Sequence, residues 1–193
     1  MTMSRKEAAT IDPTEPGPLR ELARIGAENA ANAFSLLVDR SIDEADVALR
    51  DASEAVDPDW SSGVFFELEG GVDALVAVLF RAPACDAMAE RLLGEKPDAL
   101  APWALESAFT EVANILASHV ASGIAETLGE RLLPSVPALA LEDAAGQLDA
   151  LCRLRGDRAA LRAECELVDA SAGTDTTGAI GGMIVLVPGV ARR

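Results

Sequence analysis

LESAFTEVANILASHVASGIAETL, residues 105 to 128, is the stretch on which the fold turns. At about 100° per residue, Leu105, Phe109, Val112, Leu116 and Val120 fall on one face of a helix. Ser107, Glu111, Asn114, Ser118 and Ser122 fall on the opposite face, within an arc of roughly 80°. The first set predicts a side packed into a core, and the second a polar stripe facing outward. Glu111 and Asn114 are three residues apart, so they are neighbours on the helix surface. A carboxylate supplies fixed charge, and a carboxamide donates and accepts hydrogen bonds at once. Glu-x-x-Asn alone arises often by chance, and an ordinary solvated helix face would look the same.

Upstream, PLRELARIGAENAANAFSLLV predicts a second long helix from about Pro18 to Val38, with proline in its first turn. Leu19, Gly26, Ala30, Ala33, Phe34 and Leu37 form its apolar face. The small residues among them would let another backbone approach closely. Glu21, Arg24, Glu28, Asn32, Ser35 and Asp39 form its outward stripe. Residues 41 to 59 are acidic and irregular, with a short strand near Ile42 to Leu49. Val64 to Leu68 and Val72 to Phe80 predict strands joined at Gly70-Gly71. Ala82 to Leu93 predicts a helix capped by Gly94, and residues 97 to 102 a linker.

After the central helix, Pro134 and Pro137 interrupt the chain, and Val136 to Leu141 reads as a short strand. Residues 142 to 157 carry no clear period. Ala159 to Val168 and Ala179 to Val187 predict strands around the turn-forming SAGTDTTG of residues 171 to 178, with Pro188 as a stop. Residues 1 to 16, with Pro13 and Pro16 among polar side chains, predict a flexible tail.

A chain of 193 residues, half of them hydrophobic, suits one domain or two closely joined halves. Its formal charge of −16 argues against nucleic acid and anionic membranes as partners. Cys85, Cys152 and Cys165 have no metal-site spacing and read as core fillers. Their odd number, with no signal segment and no apolar run of membrane-spanning length, predicts a cytoplasmic protein without membrane insertion. His119 flanks the apolar face and reads as a partly buried core histidine; Trp60 and Trp103 read as packing residues. Asn29 and Asn32 read as helix-surface or interhelix polar groups. TGAIGG at 177 to 182 lacks the Gly-Lys-Ser/Thr ending of a phosphate loop and precedes a strand.

Shifting the chain by ninety residues superposes Glu21 on Glu111, Leu22 on Val112, Ile25 on Ile115, Ala27 on Ala117 and Ala31 on Ala121. Each long helix then leads into strands that end in a hairpin-like pair. This predicts a duplicated α-β-β unit whose second copy lacks a clear terminal helix.

Two segments carry a family resemblance. Ile25-Gly26-Ala27-Glu28-Asn29-Ala30-Ala31 is similar to the first-helix signature of the CheC/CheX/FliY chemotaxis phosphatases. Ser107, Glu111, Asn114 and Pro137 match that group's active-site pattern at every spacing. The resemblance covers about residues 18 to 188. It implies an α/β (α+β) pseudo-twofold fold, with two long helices on a mixed or antiparallel sheet built from two repeats. The domain would span 17–193, with halves at about 18–96 and 103–190. On this resemblance, no counterpart is expected of the C-terminal helix that some members carry or of the module that joins FliY to the flagellar switch.

The first half departs from the pattern. Glu21 is in place, but Arg24 replaces the Asn, Gly17 the Asp or Ser, and Val47 the Pro. An arginine has no acceptor oxygen for water, so this degenerate first site reads as dead.

The resemblance implies hydrolysis of the aspartyl-phosphate of a CheY-type response regulator. Asn114 would orient the attacking water and Glu111 would dock the regulator's lysine. Ser107 and Pro137 would support them. No cofactor or metal of its own is implied, since the regulator brings Mg²⁺. The partners implied are the phosphorylated regulator and the receptor deamidase CheD. The alternative reading is a non-catalytic adaptor that binds phosphorylated CheY or CheD. A further one is a structural relative of the flagellar switch, whose middle domain shares the fold without the Glu/Asn pattern.

Overall fold

The computed structural model describes residues 14–70, 72–155, 160–172 and 178–189. The first helix, α1, runs Pro16–Val38 and so starts two residues before the predicted Pro18. Both prolines fit, because first-turn N–H groups have no intrahelical acceptor to lose. The tail expected before it falls mostly on residues outside the description. Asp39 ends α1 in the left-handed conformation, φ 51°, its N–H donated to the Ser35 carbonyl.

Short strands β1 (Ile42–Glu44) and β2 (Ala48–Asp51) follow, then the long hairpin of β3 (Ser62–Gly70) and β4 (Ala74–Phe80). The hairpin is as expected, with Gly71 outside the described residues. Helix α2 (Ala82–Leu93) ends at Gly94, φ 72°, as its sequence predicted. A 3₁₀ turn at Pro97–Ala99 leads into α3 (Pro102–Leu128), capped by Gly129. Then come β5 (Leu132–Pro134), β6 (Ala138–Ala140), α4 (Ala144–Arg155), β7 (Leu161–Asp169) and β8 (Gly182–Pro188). Two of these differ from expectation. Pro134 closes a paired strand rather than only breaking the chain, which an edge strand tolerates. The unassigned stretch 142 to 157 contains α4.

All strand pairs are antiparallel, in the order β1-β7-β8-β4-β3-β5, with β2 also on β7 and β6 also on β3. The registers show the duplication. Ile42 opposes Asp169, and Leu132, ninety residues after Ile42, opposes Gly70. Ala48 opposes Glu164, and Ala138 opposes Phe65 in the same way. At the centre, Leu75 faces Val187 and Leu79 faces Met183, so a pseudo-twofold axis passes through the Ala77–Val185 pair. The repeat is therefore one long helix with four strands, not the α-β-β unit expected. Each half lends its two short strands to the other half's long one, and this exchange makes the halves one domain. The α2 helix belongs to the first half alone and α4 to the second.

The central strands, ALVAVLF of β4 and GMIVLVP of β8, are buried throughout. Side chains alternate across a strand. Val76, Val78, Phe80, Ile184 and Leu186 join the core under α1 and α3. Leu75, Leu79, Met183, Val185 and Val187 join a second core with α4, around Leu148 and Cys152. Two covered faces explain why these strands read as unbroken apolar runs. Phe34 of α1, Phe80 of β4 and Phe109 of α3 form a chain of rings with centroids 6.2 and 6.0 Å apart.

The two long helices touch at glycines. A Cβ on Gly26 would lie 3.0 Å from Val120 Cγ1, and one on Gly123 would lie 2.4 Å from Asn29 Nδ2. The predicted close approach at Gly26 is found, with Gly123 as the partner contact that the sequence reading passed over. Because the core side of α3 is held between α1 and the sheet, its opposite side must face outward.

Candidate functional site

Ser107, Glu111, Ser118 and Ser122 are exposed on α3, and Asn114 is half-buried among them. The buried set of the same helix includes Phe109, Val112, Leu116 and Val120. The stripe therefore lies on the side away from the core. Two of its hydroxyl-bearing neighbours are turned inward on the helix backbone: Ser118 Oγ donates to the Asn114 carbonyl at 2.7 Å, and Thr110 Oγ1 to the Glu106 carbonyl at 2.8 Å. Within the described residues, the side chains of Glu111 and Asn114 form no hydrogen bond or ion pair. A carboxylate and a carboxamide are thus presented side by side with their hydrogen-bonding capacity unspent.

The equivalent place on α1 is occupied differently. Arg24 donates from NH2 to Glu21 Oε1 at 2.8 Å, from Nε to Glu21 Oε2 at 3.1 Å, and from NH1 to Glu28 Oε2 at 3.1 Å. The guanidinium thereby holds the Glu21 carboxyl below its usual range. Both oxygens of Glu21 are engaged, and the charge that Glu111 leaves open is here closed off.

The first half also helps place Pro137. Val47 stands at its equivalent position, and its carbonyl accepts from Arg20 NH1 at 2.5 Å. Arg20 corresponds to Thr110. By the repeat equivalence, half-buried Pro137, between β5 and β6, is expected toward the side of α3 that carries Thr110. Ser107 lies one turn before Glu111 on the same stripe.

Several side chains are not where the sequence reading put them. Trp103, expected to pack, is 73% exposed at the start of the α3 stripe. Trp60 does pack, 5% exposed, with the Arg81 guanidinium 4.3 Å from its ring centroid. His119 is exposed rather than partly buried, because it sits just past the edge of the apolar arc. Asn29 takes the interhelix role: its amide donates to the Ile25 carbonyl at 2.9 Å and lies against Gly123. Asn32 is exposed. All three cysteines are buried as expected. Of TGAIGG, Thr177 lies outside the described residues, and Gly182 opens β8 tightly against the Leu79 carbonyl. Most of SAGTDTTG also lies outside the description.

Among the described residues no group of three or more His, Cys, Asp or Glu is placed to hold a metal ion. No described helix is long and apolar enough to cross a membrane. A cleft of about 660 Å³, lined by Arg40, Asp86, Glu90 and Arg91 among others, touches none of the stripe residues. Its arginines are engaged, Arg40 with Asp169 at 2.8 Å and Arg91 with Asp39 at 2.7 Å.

No protein-family model and no curated protein sequence matches the chain. Solved structures do match it in fold. The chemotaxis protein CheX from Desulfovibrio desulfuricans superposes with a TM-score of 0.64 at 12% identity, over 86% of this chain and 97% of its own. A chain of the CheX–CheY–BeF3–Mg²⁺ complex from Borrelia burgdorferi gives 0.57 at 12% identity, over 85% and 94%. FliY from Thermotoga maritima gives 0.57 at 15% identity, over 94% and 93%. The fold is therefore that of the CheC/CheX/FliY chemotaxis proteins. At such identities the likeness speaks for architecture, and activity has to be argued from the site.

Proposed function

We propose that this chain, built on the CheX-type fold, is a phosphatase for the aspartyl-phosphate of a CheY-type response regulator. The observation that carries the reading is the contrast between the two long helices. Glu111 and Asn114 stand uncommitted on α3, while Glu21 is pinned by Arg24 on α1. The match to a complex of CheX with BeF3-bound CheY supports the choice of partner.

Phosphoryl transfer asks little covalent help of a protein; positioning and electrostatics do most of the work. In this reading α3 lies over the regulator's phosphoryl pocket. The Asn114 carbonyl oxygen accepts a hydrogen bond from a water and aims its lone pair in line with the phosphorus. The water oxygen bonds to phosphorus as the bond to the aspartyl oxygen breaks. The regulator's carboxylate leaves, and the water's proton goes to the phosphate. Glu111 pairs with the regulator's lysine and fixes the depth at which Asn114 enters. Positioning of this kind lowers a barrier by up to about 7–11 kcal/mol at its best. The regulator would hold the Mg²⁺, which would supply charge neutralisation at the phosphoryl oxygens. Ser107 and Pro137 support the helix face and the chain beside it. The same reading places the protein in the cytoplasm, with CheD as a second partner.

The test is phosphate release from a purified, phosphorylated regulator. The protein should accelerate release, and Asn114→Ala should abolish the acceleration with the helix content intact. An unchanged rate would remove Asn114 from the mechanism. Binding to the activated regulator without any acceleration by the parent protein would make it an adaptor.

A further inference from the structure

The chain has two tryptophans, and they are treated oppositely: Trp60 is 5% exposed and Trp103 73% exposed. Trp103 stands four residues before Ser107 and eight before Glu111, so it is about 12 Å along the helix from the carboxylate. It is also seven residues before Thr110, two turns away on nearly the same side of α3. That is the side beside which the repeat equivalence places the β5–β6 connection. Val136, next to Pro137 in that connection, is 88% exposed. By that equivalence Trp103 and Val136, both exposed, lie toward the same side of the Glu111–Asn114 pair.

We infer that Trp103 and Val136 form an apolar lip that docks the phosphorylated regulator beside Glu111 and Asn114, with Trp103 as the anchor. The inference rests on the proposed function and adds to it how the partner is held. Three considerations favour this occupant. The lip is continuous with the pair that would enter the partner's pocket. A chain of formal charge −16 offers no long-range attraction to an anionic phosphoryl group, so beyond the Glu111–lysine pair it is apolar burial that would hold the complex. Exposed tryptophan costs little conformational entropy to order and is among the residue types most enriched at the energetic centres of interfaces.

The experiment measures affinity for BeF3-activated regulator and, separately, kcat and KM for the phosphorylated form. Trp103→Ala should weaken binding and raise KM by about tenfold or more, with kcat within about twofold of the parent. Trp103→Phe should recover most of that loss, and Val136→Ser should cause a smaller one. Because both side chains are exposed, fold and helix content should be unchanged. Parent-like affinity in both Trp103→Ala and Val136→Ser overturns the lip while leaving the phosphatase reading in place. A fall in kcat at constant KM also overturns it, since that assigns Trp103 to the chemistry. Loss of self-association at unchanged regulator affinity overturns it in favour of a second copy as occupant. Failure of the parent to bind activated regulator at all sinks the functional reading and the lip with it.

Discussion

Substituting Gly123 by alanine tests the contact that turns the α3 stripe outward. Two opposed effects meet there. Alanine inside a helix is favoured over glycine by about 1 kcal/mol. Against this, the new Cβ would lie 2.4 Å from Asn29 Nδ2, 2.9 Å from Asn29 Cγ and 3.2 Å from Ile25 Cγ2. The Asn29 amide must swing away, which breaks its 2.9 Å bond to the Ile25 carbonyl. A lost hydrogen bond costs about 0.5–1.5 kcal/mol and crowding of a packed site about 1–3 kcal/mol. The clash wins, and Gly123→Ala should destabilise by about 1–3 kcal/mol. With Asn29 first changed to alanine only the milder contact with Ile25 Cγ2 is left, and the same substitution should be near neutral or stabilise by up to about 1 kcal/mol. A double-mutant cycle by urea unfolding should therefore show a coupling of roughly 1–4 kcal/mol between the positions. Equal effects of Gly123→Ala in both backgrounds would refute the argument, because the glycine would then not be held by its neighbour on α1.

Three other outcomes follow from the same geometry. Asp169 is fully buried as a side chain and accepts from Arg40, Ile180 N–H and Ser171; burial pushes its pKa up, but these bonds hold it below the usual carboxylate value. Its contribution is thus fully present above the unfolded pKa of about 3.9 and lost as pH falls through the folded value. Asp169→Asn should cost about 2 kcal/mol at pH 7, because the single amide oxygen can accept from the Ile180 N–H or the Ser171 N–H but not both, and the charge facing Arg40 is lost; the difference from the parent should shrink in acid unfolding curves. Burial pushes the Cys85 and Cys165 thiols up to about 11 and raises that of Cys152. A thiol reagent at pH 7.5 should accordingly label none of the three in the native protein and all three in urea. Arg24→Ala should leave phosphate release within about twofold of the parent, since the ion-pair cluster it breaks stands on the helix without an Asn; a large loss would return the first half to the mechanism.

The amphipathic pattern of residues 105 to 128 was enough to orient α3, because a period of about 3.6 residues and a core on one side leave a helix one stable rotation. The spacing Ser107, Glu111, Asn114 and Pro137, and the ninety-residue repeat, were legible for the same reason: local periodicity is written in consecutive residues. The sequence by itself also placed Gly94, the β3–β4 hairpin and buried cysteines. What it could not decide was anything set by residues far apart in the chain. The exchange of β1 and β2 onto β7, and of β5 and β6 onto β3, depends on three- and four-residue strands with little pattern of their own. Their pairing comes from the partner strand. The α4 helix was hidden because its apolar residues answer to a second core on the far side of the sheet. Tertiary packing alone decided that Asn29 rests against Gly123 and that Trp103 is left in solvent, whereas the pairs of Arg24 with Glu21 and Glu28 are i,i+3 and i,i+4 contacts within one helix. Exposure is a property of what other segments fail to cover, and one segment's sequence does not contain it.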